Sequence, residues 1–78
     1  MKNQYKTSDL SLAAYLNIDH DLDSIEKGEG QKVVFVFMET TSLKEAIDDF
    51  WRRKALVEPA SFFNSLKNLK SMIYQKRI

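Results

Sequence analysis

Few side chains in this 78-residue sequence could do chemistry, and those that fall into a pattern are cationic or aromatic. Phe63, Lys67, Lys70, Tyr74 and Arg77 recur at i, i+4, i+7, i+11 and i+14, which is one continuous face of a helix. Lysines interleaved with aromatic rings can meet phosphates and stack on bases. The same pattern also arises when lysines face solvent, rings widen a core stripe, and cations gather at a helix C-terminus for dipole reasons. That plainer reading is the expected one. A second cationic group, Arg52, Arg53 and Lys54, could extend the face. Asp48 and Asp49, however, stand four residues before Arg52 and Arg53, the favoured order for helical ion pairs. If the two helices pack antiparallel, the trio lies near Phe63 and far from Arg77, and the patch is diffuse.

Other arrangements fail on spacing. Asp19, Asp21 and Asp23 alternate like the start of a calcium loop, but Ser24 occupies the position that needs glycine and the closing glutamate is missing. A polar linker is expected there. His20 sits between two of these acids, with no serine or cysteine nucleophile suggested nearby. Gly28-Glu29-Gly30 lacks the Gly-Lys-Ser/Thr continuation of a phosphate loop. The sequence has no cysteine and one histidine, so disulfides and thiolate metal sites are excluded, and His20 cannot build a zinc site alone. No catalytic residue, cofactor or metal is expected, and the chain reads as a non-enzyme.

The elements that position these residues follow from periodicity. Leu10, Ala13 and Ala14, with Leu12, Tyr15 and Leu16, predict a helix over about 8–17 that is apolar round most of its circumference. Thr7, Ser8 and Asp9 offer three N-caps for it. Lys32 to Met38 is the strongest strand: β-branched, aromatic and of the right length. With Ser24 to Lys27 it predicts a β-hairpin whose loop spans Lys27 to Gln31. Ser42 and Glu45 fit a capping box opening a second helix to about Lys54, its core face Leu43, Ala46, Ile47, Phe50 and Trp51. An exposed Trp51 would be the first residue to suspect at a binding surface. Ala55-Leu56-Val57 is either a connector or a short third strand. Pro59 suits the first position of a last helix running to about Gln75, with Phe62, Leu66, Leu69 and Ile73 as its core stripe.

The sum is one small α+β domain over residues 1–78, with two C-terminal helices packed on a small sheet. Val33 to Met38 is apolar on both faces, whereas a hairpin strand usually has one wet face. Three amphipathic helices are expected to cover both. The competing arrangement leaves one face to a third strand or a partner chain. A core this small stabilises weakly, and the absence of chemistry points to a non-catalytic protein-interaction module, binding another protein or itself as a homodimer. Nucleic-acid association through the last helix is the alternative, and weak, because 11 acidic residues nearly match 12 basic ones. No apolar run is long enough to span a membrane, and none follows the N-terminus as in a signal peptide.

Lys6-Thr7-Ser8-Asp9-Leu10-Ser11-Leu12-Ala13-Ala14-Tyr15-Leu16, then Val33-Val34-Phe35-Val36-Phe37, then Trp51 with Ala55-Leu56-Val57-Glu58-Pro59, resembles a family of small uncharacterised prokaryotic and phage-associated domains. Its members share a K-T-x-D-L-x-L-A-A-Y-L opening, a V-x-F-V-F strand and an A-L-V-D-P entry into the last helix. Glu58 stands where that pattern has aspartate, which implies a weaker cap. The resemblance covers nearly the whole chain. It implies a common fold and a cytoplasmic protein of a bacterium or an infected host cell, and it brings no activity or site residues.

Overall fold

The computed structural model describes residues 3–30 and 32–76. Strand β1 (Gln4–Thr7) leads into helix α1 (Leu10–Asp19), then strands β2 (Leu22–Lys27) and β3 (Val33–Met38), and helices α2 (Thr41–Trp51) and α3 (Pro59–Lys76). The fold is α+β, as the periodicity predicts. The sheet is antiparallel in the order β1-β3-β2, so the most apolar strand is central. The third strand is not Ala55–Val57, which forms part of the connector, but Gln4–Thr7. Its four residues pair with Phe35 to Met38, and Glu39 N–H donates to the Asn3 carbonyl beyond them. Four residues carry little strand signal of their own, so it is the free edge of β3 that makes them a strand.

β2 and β3 form the expected hairpin, but β2 begins at Leu22 rather than Ser24 and carries an irregularity between Leu22 and Ser24. The turn closes through Gly28 N–H to the Lys32 carbonyl at 2.9 Å. Gly30 has φ of 63°, a left-handed conformation that favours glycine. Gln31, placed in the loop from sequence, lies outside the described residues.

Helix starts are set by side chains that accept otherwise unpaired N–H groups. Asp9 caps α1, its Oδ1 accepting from Leu12 N–H at 3.0 Å. Thr40, two residues before the expected Ser42, caps α2 by accepting from Leu43 N–H at 3.0 Å. Glu58 accepts from Ala60 N–H, Ser61 N–H and the Ser61 hydroxyl at 2.9 to 3.0 Å. The longer side chain therefore caps α3 fully, and these bonds hold its carboxyl below the usual glutamate range.

Leu12, Ala13, Ala14 and Leu16 of α1 are completely buried against Phe35 and Phe37 of β3, Leu43 of α2 and Leu69 of α3. Both α2 and α3 pack on α1. The expected stripe on α3 is present: Phe62, Leu66 and Ile73 flank Leu69 at the edge of the core. Ser65 lies in the same contact, its hydroxyl donating to the Ala14 carbonyl at 2.7 Å.

The expectation that helices cover both sheet faces is corrected. The molecule measures 36 × 35 × 18 Å, and 18 Å accommodates one sheet and one layer of helices about 10 Å across. Phe35 and Phe37 face the helices, as does Val33, which packs against the same cluster. Val34, Val36 and Met38 stand outside that core. Val36 is nevertheless completely buried. Its neighbours Lys6 on β1 and Ser24 on β2 flank it directly, and Lys6 Nζ reaches Glu26 Oε1 of β2 at 3.2 Å. Gln4 bonds Asp23 in the same way, also at 3.2 Å. Long polar side chains from both edge strands thus meet over β3, their aliphatic stems covering its valine.

Candidate binding surface on the last helix

α3 has 18 residues and contains no aspartate or glutamate. One flank buries the core stripe, and the adjacent flank carries the cationic and aromatic series. Phe63 is 59% exposed and Tyr74 74% exposed, with Lys67 and Lys70 exposed between them. The rings therefore do not widen the core stripe, as sequence reasoning expected. Phe63 touches only the edge of it, its ring centroid 6.1 Å from that of Phe62. Among the described residues, no ion pair involves Lys67 or Lys70. Arg77 lies outside the described residues.

The second cationic group divides. Arg52 is held by Asp48, with Nε to Oδ2 at 3.0 Å. Arg53 and Lys54 are exposed and end α2 by backbone bonds, Arg53 N–H to the Phe50 carbonyl and Lys54 N–H to the Asp49 carbonyl at 2.8 Å. This termination places Arg53 at φ of 61°, where glycine is the usual occupant. α2 and α3 pack chiefly on α1 rather than on each other, so the antiparallel pair weighed from the sequence gives way to two helices flanking a third. Trp51, assigned to the core from its spacing, is instead 59% exposed and meets Phe50 edge-on at 5.1 Å. The core place at this end belongs to Phe50, which contacts Tyr15 at 5.8 Å. Burial, and then the charges of Asp49 and Asp19, raise the Tyr15 phenol above its ordinary pKa. Next along the chain, Leu56 is 92% exposed and Val57 is also exposed.

One pairing had no sequence signal. His20 Nε2 lies 2.9 Å from Ser42 Oγ, in an open cleft of about 550 Å³ rimmed by Asp19, Asp21 and Asp23. This corrects the expectation that no serine stands near His20. A base at Nε2 would need its proton on Nδ1. Nδ1 is buried without a hydrogen-bond partner among the described residues, and an unpaired N–H there is costly. The tautomer this favours has Nε2–H donating to Ser42, which ties the end of α1 to the start of α2. Among the described residues, no group of three histidine, cysteine or acidic side chains is placed to hold a metal ion. No helix among them is long and apolar enough to cross a membrane.

No curated protein and no solved structure matches this chain. A family model does, over residues 2–75, and its description is a domain of unknown function, DUF5659. The chain, small, α+β and matched along nearly its whole length, belongs to that family.

Proposed function

We propose that the chain is a non-catalytic protein-interaction module that binds through α3 and the adjoining end of α2. The observation that carries this is the exposure of Trp51, Leu56, Phe63 and Tyr74 in a domain whose core is already complete without them. Aromatic rings held partly clear of water by neighbours are the usual anchors of protein interfaces. The test is affinity capture from the source cell with wild type and a Trp51→Ser/Phe63→Ser/Tyr74→Ser variant, both checked by circular dichroism. A partner retained by wild type and lost by the folded variant supports the reading. The same proteins retained by both would overturn it.

Nucleic acid is the second reading, favoured by the exposure of both rings and the acid-free helix between them. Two free lysines release few counterions, so affinity stays weak and salt-sensitive. Fluorescence anisotropy with a single-stranded oligonucleotide is expected to give no dissociation constant below about 1 μM at about 0.15 M salt.

A further inference from the structure

We infer that the partner of the α3 flank is a second copy of this chain, whose α2 lies along it. The inference rests on the protein-interaction reading above and names the occupant of that surface. Phe63, Lys67, Lys70 and Tyr74 are spaced four, three and four, the repeat with which one helix packs along another. Whatever lies there must offer acidic groups opposite the two lysines. The chain itself has such a helix. α2 exposes Glu45 and Asp49 one turn apart, and neither takes part in an ion pair among the described residues.

The spacings agree. Lys67 and Lys70 are separated by about 4.5 Å along their helix axis, and Glu45 and Asp49 by about 6 Å along theirs. Laid antiparallel, Lys67 meets Asp49 of the second copy and Lys70 meets Glu45 of the second copy. Phe63 then falls beside the cationic end of α2, at Arg52 and Arg53. Within one molecule this pairing is not made, because α2 and α3 each pack chiefly on α1. A twofold axis repeats the contact, each copy giving one α3 and one α2. The repetition doubles the buried area toward the roughly 800 Å² per partner that a stable dimer needs.

Sedimentation velocity on the full chain from about 5 to 500 μM tests this. The expected result is a concentration-dependent species of twice the monomer mass, weakened in about 0.5 M NaCl. Lys67→Glu/Lys70→Glu should raise the dissociation constant at least about tenfold. Adding Glu45→Lys/Asp49→Lys to the same chain should restore association, which a merely destabilising change would not do. A monomer at every concentration overturns the inference. So does a dimer indifferent to the charge reversal, or one not rescued by the swap. If the monomer still retains a partner through Trp51, Phe63 and Tyr74 in the capture experiment, only the second copy is ruled out. If it instead binds a labelled oligonucleotide through Lys67 and Lys70, the surface belongs to nucleic acid.

Discussion

α1 and α3 divide the work of this domain unequally. α1 has ten residues and commits Leu12, Ala13, Ala14 and Leu16 entirely to the core, whereas α3 has 18 and, among the described residues, buries only Leu69 completely and Ser65 nearly so. A helix apolar round most of its circumference has little face left over from the core. α3 spends one flank on α1 and the sheet, and holds a second flank of rings and lysines that folding does not use. These surplus side chains, rather than any cleft, are what the proposed interaction surface rests on.

Substitutions can sharpen or break that contrast. The largest effects should come from the shared core: Leu16→Ala and Phe37→Ala should each cost about 2–5 kcal/mol. That is comparable with the whole stability of so small a domain, so thermal melts should show little cooperative transition. Ser65→Ala removes the buried hydroxyl that joins α3 to α1 and should cost about 1 kcal/mol in urea denaturation. Arg53→Gly should act in the other direction, stabilising by about 1 kcal/mol, because glycine adopts the left-handed conformation without the steric cost that arginine carries.

The cap of α3 gives a pH signature. Glu58 has a folded pKa below its unfolded one, so its contribution is present above the ordinary glutamate range and is lost as pH falls through the folded value. Urea denaturation of wild type and Glu58→Gln should therefore differ at pH 7 and converge on acidification. A constant difference at every pH would show that the carboxylate charge is irrelevant to the cap. Smallest of all, Lys67→Ala should change stability by under about 0.5 kcal/mol. A larger loss would place this flank in the fold and erase the contrast with α1.

Much of the fold is legible in the sequence, because α1 and β3 are strongly apolar runs and α3 carries a clear apolar stripe, which tertiary context only confirms. What escapes it is decided by neighbours. Gln4 to Thr7 become a strand only because β3 has a free edge, and Leu22 joins β2 for the same reason. Thr40 and Ser42 are chemically equivalent caps, and the contact of Ser42 with His20 separates their roles. Burial of Val36 depends on Lys6 and Glu26, far apart in sequence, meeting across the sheet. The surface of α3 was visible as a spacing, but whether Phe63, Tyr74 and Trp51 point inward or outward was not. A stripe of rings beside a core stripe reads identically in either case, and the position of α1 settles it.

The most direct test of the division between the two helices is a dilution series of ¹⁵N–¹H correlation spectra. As concentration rises, amide resonances of α3 from Phe63 to Tyr74 and of α2 from Glu45 to Trp51 should shift together. Those of α1 and of the helix-free sheet face around Val36 should stay fixed. Shifts confined to the sheet face, or spectra unchanged throughout the range, would contradict the account.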